Sequence, residues 1–185
     1  MGHCVLDACA LVNLHCGWGG LTELRGFGDS WRIGDIALAE TMFVRELDAS
    51  GGVCKLTLNV AEVVAQGNLH VVSLDTTPGN ADAQTSFVEF AMELDDGEAQ
   101  ALTIAWHRNC VLVTDDRLAI RMASGLSAAV PTMGTPEILM AWAHENPGRQ
   151  ARLPDVVRRI AVLGPFQLKR TSRHYGWWQG LLSQL

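Results

Sequence analysis

The chain has 185 residues, 48% apolar and 18% charged, which suits one folded domain with a sizeable core and excludes any long disordered stretch. It holds no uncharged apolar run of about 18 residues, so no membrane-spanning helix is expected, and its five cysteines argue for a reducing compartment over a disulfide framework. The net charge of −6 conceals a segregation: residues 149–185 carry seven Lys/Arg against Asp155 alone, net +6, and residues 1–148 carry net −12. Such a split fits an acidic cation-binding centre with a basic arm for phosphates, and it equally fits a solvated basic tail.

The chain runs straight into Cys4-Val5-Leu6-Asp7, with no basic start or cleavable apolar segment, and a cytoplasmic location is expected. Val5-Leu6 reads as a short strand ending at Asp7, followed by a helical stretch to Leu14 that Gly17, Gly19 and Gly20 break. Leu21–Arg25 reads as a short helix and Trp31–Ile33 as a second strand. Ile36–Leu47 carries helical periodicity, closed by Ser50-Gly51-Gly52. Leu69–Leu74 reads as a third strand, and a helix over Ala81–Leu94 follows the turn signal Thr77-Pro78-Gly79-Asn80.

Asp95-Asp96 then precedes a helix from Gly97 to Arg108, and the apolar run Cys110–Thr114 has the character of a buried parallel strand ending at Asp115-Asp116. Further helices are expected over Arg117–Ala123, Pro136–His144, Pro154–Leu163 and, more weakly, Trp177–Leu182. Strands alternating with helices predict an α/β fold: a mostly parallel central sheet between two helical layers, α/β/α. Residues 1–140 form the expected domain, and residues 141–185 a helical, basic C-terminal extension packed on it. In such sheets ligands bind beyond the carboxyl ends of the strands, where Asp7 and Asp115-Asp116 both stand.

Two further acids are drawn to this place by helical geometry. With roughly 100° per residue, Ile36, Ala39, Met42, Phe43 and Leu47 form an apolar stripe that contains Glu46, with Glu40 at its edge. A carboxylate inside such a stripe is costly unless a cation meets it. On the helix from Gly97, Glu98 falls among Leu102, Ala105 and Trp106, although a place in the first turn also suits the helix dipole. Asp95 or Asp96 is accounted for by capping. Crowded carboxylates have raised pKa values unless a cation neutralises them, and hard oxygen donors favour Mg²⁺ or Mn²⁺ over Zn²⁺. Metal-assisted phosphodiester hydrolysis is the natural chemistry of such a set. Scattered caps and surface acids are the other reading of the same spacing.

The segments VLDACALVNL (Val5–Leu14), FVREL (Phe43–Leu47), LDDGEAQALTIA (Leu94–Ala105), VLVTDDRLAIRMA (Val111–Ala123) and GTPEIL (Gly134–Leu139) resemble, in order and spacing, PIN-domain nucleases. The branch with a GEAEA-type segment and a TDD strand end is the most similar. The likeness covers about residues 4–140. It implies a Mg²⁺- or Mn²⁺-dependent ribonuclease acting on single-stranded RNA, similar to the VapC toxins of toxin–antitoxin pairs, with an antitoxin protein as partner and a homodimer as the assembly.

Carried over residue by residue, the resemblance makes Asp7, Glu46, Glu98 and Asp116 the catalytic acids. Asp7, Glu98, Asp115 and Asp116 become the metal ligands, and Thr114 supports them through a hydrogen bond. Cys9 stands where many relatives have a small hydroxyl residue, and the "LAE" at Glu40 also resembles the family's second motif. In the extension, Arg170, Arg173 and Trp177 are candidate RNA contacts, with packing the alternative use of the tryptophan.

Three other readings compete. A PIN fold without catalysis would bind RNA or a partner. A phosphatase or receiver domain also places Asp at strand ends, but no D-x-D-x-T/V motif follows the first strand and no glycine-rich P-loop exists. A zinc protein would use His3, Cys4, Cys9, His15 and Cys16, whose spacings match no common zinc pattern.

Overall fold

The computed structural model describes residues 2–28, 30–41, 43–77 and 79–184. Met42 of the expected helical stripe and Pro78 of the turn signal lie outside them. Five strands form one sheet: β1 (His3–Leu6), β2 (Ser30–Gly34), β5 (Leu69–Val72), β6 (Val111–Val113) and β7 (Thr132–Met133). Their order is β5-β2-β1-β6-β7, and every pairing is parallel. The α/β class and the parallel sheet expected from the sequence are both present.

Alternation along β1 decides the layering. Cys4 and Leu6 enter one apolar core, with residues of α1 (Ala8–Trp18), α7 (Thr135–His144), α8 (Pro147–Leu163) and α9 (Tyr175–Leu182). Val5 enters another, with α4 (Asn80–Ala91), α5 (Asp96–His107) and α6 (Arg117–Gly125). A strand with both faces covered must be apolar at every position, and Cys4, Val5 and Leu6 are all fully buried.

The chain builds outward from β1 to β2 and β5, then returns to the far side of β1 for β6 and β7. The reversal between β1 and β6 leaves a crevice at their carboxyl ends, because the connections leave in opposite directions. Asp7 follows β1 and Thr114-Asp115-Asp116 follows β6. The Asp7 N–H donates to the Val113 carbonyl (3.0 Å) and the Thr114 N–H to the Met133 carbonyl (3.0 Å), extending the ladder to the crevice.

The sequence expectation fails between residues 36 and 57. The helix α2 (Asp35–Glu40) stops at Thr41, whose hydroxyl donates to the Ala37 carbonyl one turn back, a bond that competes with helix continuation. Phe43–Leu47 is strand β3, paired antiparallel with β4 (Val53–Thr57) in a hairpin apart from the main sheet. Its apolar residues fit a helical stripe, but the segment pairs as a strand, and the turn after it sets that pairing. Asp48 closes that turn by accepting from the Ser50 and Gly52 N–H groups, with Gly51 at φ 81°.

The sequence also leaves α3 (Ala61–Ala65) and the two-residue β7 unread, and it starts α8 too late. Asn146 caps α8 through the Gly148 N–H, and Pro154 lies inside the helix. α8 lies across α1 closely enough that a Cβ at Gly17 would come within 2.8 Å of Ile160 Cδ1. Leu153, Val156, Val157, Ile160 and Leu163 of α8 are buried there. Among the described residues, no helix is long and apolar enough to cross a membrane.

Candidate active site

Asp7, Glu98, Asp115 and Asp116 line one cleft of about 240 Å³, with Cys9, Asn13, Pro165, Phe166 and Gln167. Three segments far apart in sequence supply the acids: the end of β1, the first turn of α5 and the end of β6.

Asp7 is 2% exposed. As the N-cap of α1 it accepts from the Ala10 N–H, so part of its carboxylate serves the helix end. Burial pushes its carboxyl up to about 6, against hydrogen bonds from Thr114 and Ala10; Asp115 and Asp116 push in the same direction as burial. Glu98 stands third in α5 and accepts from the Asp95 N–H, the reciprocal half of a capping box, yet burial together with Asp116, Asp7 and Asp95 raises it to about 7. Capping alone leaves that crowding unexplained. The charged neighbours acting on Asp7 and Glu98 are all carboxylates.

Asp115 is held from two elements. The Thr135 N–H donates to Oδ1 (2.9 Å), the Thr135 hydroxyl donates to Oδ2, and Asn13 Nδ2 donates to Oδ2 (3.3 Å). Burial still raises its pKa. Asp116 caps α6, its Oδ1 accepting from the Leu118 and Ala119 N–H groups (2.7 and 2.8 Å). Thr114 joins the two strand ends, since its Oγ1 accepts from the Asp116 N–H (3.0 Å) while its hydroxyl donates to Asp7.

Glu46 is elsewhere. It lies on β3, its Oε1 is 3.9 Å from His15 Nε2, and it does not line the cleft. The buried-stripe argument fails because the residue belongs to a strand and no such helical stripe exists. Glu40, at the end of α2, accepts from the Gly97 N–H (3.2 Å) and so meets the N-terminus of α5 beside Glu98. Asp95 holds the N-cap position without a side-chain capping bond. Glu40 supplies a carboxylate there instead.

Of the candidate RNA contacts, Arg170 is exposed. Arg173 is ion-paired with Glu137 (2.7 Å), and Trp177 packs against the core. Asn13 and Thr135 went unread as site residues. Asn13 is a lone polar residue in the apolar run VLDACALVNL, and Thr135 opens α7; each fixes Asp115 only through contacts more than a hundred or about twenty residues away in the chain. Cys9, in the same cleft, has its thiol pushed up to about 11 by desolvation and the surrounding acids, which leaves it protonated and weakly nucleophilic.

Among the described residues, no three His, Cys, Asp or Glu side chains are gathered tightly enough to hold a metal as they stand. This applies to the residues of the competing zinc reading too: Cys16 turns to the Arg45 carbonyl and His15 to Glu46. The cleft acids nevertheless fit a hard divalent cation chemically. They are oxygen donors, crowded and partly desolvated, and Asp7, Glu98 and Asp115 have the raised pKa values of uncompensated carboxylates. The chain matches no family model and no curated protein sequence.

Proposed function

We propose that the chain is a divalent-metal-dependent ribonuclease of the PIN type, hydrolysing phosphodiester bonds of single-stranded RNA in this cleft. One observation carries the reading. Asp7, Glu98, Asp115 and Asp116 share a cleft at the strand reversal between β1 and β6, and burial raises the pKa values of Asp7, Glu98 and Asp115 there. A protein that keeps buried carboxylates crowded sacrifices stability for something. A cation ligand set is the simplest use.

Asp7, Glu98 and Asp116 would hold Mg²⁺ or Mn²⁺, with Asp115 beside them. The bound ion supplies positive charge that lowers the pKa of an attacking water and stabilises charge on the phosphate and the leaving oxygen. The chain's own work is positioning. Thr114 ties Asp7 to the Asp116 backbone, while Thr135 and Asn13 fix both oxygens of Asp115. Support of this kind typically changes metal affinity or activity by about 10- to 100-fold. The PIN resemblance extends the proposal to a toxin held in check by an antitoxin, and to a homodimer.

The test is cleavage of end-labelled single-stranded RNA by the purified chain. Cleavage is expected with Mn²⁺ or Mg²⁺ and not with EDTA, and Asp7→Asn or Asp116→Asn should reduce it on the order of a hundredfold or more. Cleavage equal in these variants removes the proposal. RNA binding without metal-dependent cleavage leaves the catalytically silent PIN-type module as the reading.

A further inference from the structure

A second, larger cleft of about 550 Å³ adjoins the acidic one and shares Asp115, Asp116, Phe166 and Gln167 with it. Its character differs. Arg117, Lys169, Arg173 and His174 line it, and one wall is the segment between α8 and α9, residues 164–174, which lies outside the PIN resemblance. This segment is fastened at three points. Phe166 packs edge-on against Trp178 (5.1 Å), the Arg117 guanidinium donates to Thr171 Oγ1 (3.3 Å), and Arg173 and His174 both meet Glu137 (2.7 and 2.6 Å). Glu137 therefore already occupies two of the four basic side chains. Lys169 and Arg117 are exposed, and neither forms an ion pair among the described residues.

We infer that this cleft is a backbone-binding groove for single-stranded nucleic acid, in which Lys169 and Arg117 hold a phosphate flanking the one that reaches the acids. The inference rests on the reading of the acidic cleft as the reacting centre. A polyanion has no favourable approach to four carboxylates unless cations beside them hold it, and the basic side chains stand along the same continuous hollow. The half-buried ring of Phe166, at the junction of the two clefts, offers a face to a base between those phosphates.

The experiment is fluorescence anisotropy of a labelled oligouridylate 12-mer, in EDTA so that no cleavage occurs, with the full chain and the variant K169A/R117A across a series of salt concentrations. Each phosphate contact on a single strand contributes about 0.7 to the slope of log K against log salt. The double variant should flatten that slope by about 0.7 and bind on the order of tenfold more weakly at ~0.1 M salt. Matching thermal melts exclude misfolding. An unchanged slope and affinity overturns the groove. Equal weakening for uridine monophosphate also overturns it, by showing a mononucleotide site. If the variant alters binding but the wild-type chain cleaves no RNA in Mn²⁺, the groove stands and the nuclease reading falls.

Discussion

Asp7 is ionised at a cost, and the cost has a sign. Its carboxyl stands at about 6 against an ordinary 3.8, so between those values the folded chain keeps a proton that the unfolded chain has released. Stability therefore falls as pH rises through that window; the penalty is absent below about pH 4 and complete above about pH 6, where it amounts to about 3 kcal/mol. Asp7→Asn retains an oxygen for the Ala10 N–H and removes the charge. In EDTA at about pH 8 its Tm should exceed that of the wild-type chain by about 5 °C or more, and at about pH 4 the two should coincide. Calorimetry at both pH values checks this, and a variant no more stable at the higher pH would show that the buried charge carries no penalty. Addition of Mn²⁺ should raise the wild-type Tm and leave the variant's nearly unmoved.

Most elements, and the strand ends that carry Asp7 and Asp115-Asp116, were legible because local pattern and global placement agree there. β1 and β6 are short apolar runs stopped by aspartate, and in a parallel sheet that position is the crevice. Glu98 was legible for a related reason, since the direction of a first-turn side chain follows from helix phase. Glu46 was misread where the apolar spacing fits a helix that the chain ends early. The helix ends at Glu40 because the Thr41 hydroxyl turns back on Ala37 and Asp48 organises a hairpin turn, and neither bond changes the apolar pattern. The consequence is testable. Glu46→Gln should keep wild-type RNA cleavage within about twofold, as surface changes away from a site do, whereas Glu98→Gln should lose it. A loss in Glu46→Gln as deep as in Asp7→Asn would return Glu46 to the site.

At the scale of the whole molecule, the basic excess of residues 149–185 is mostly spent on the protein itself. Arg149 and Arg152 pair with Glu23 and lie over Trp142 (5.7 and 5.6 Å). Arg158 pairs with Asp155, and Arg159 donates to the Cys16 carbonyl. Arg173 pairs with Glu137, which leaves Lys169 and Arg170, both in the segment that walls the larger cleft. The same region supplies Leu153, Val156, Val157, Ile160, Trp178 and Leu181 to the core under α1. Each such side chain is worth roughly 1.5–3 kcal/mol when buried. Six together rival the roughly 5–15 kcal/mol that holds a domain folded. A chain ending at His144 should therefore show no cooperative melt and should bind a hydrophobic dye, without RNA cleavage in Mn²⁺. If it instead melts cooperatively and cleaves RNA at the wild-type rate, residues 145–185 are an accessory to both core and groove, and the catalytic cleft is complete without its Phe166 wall.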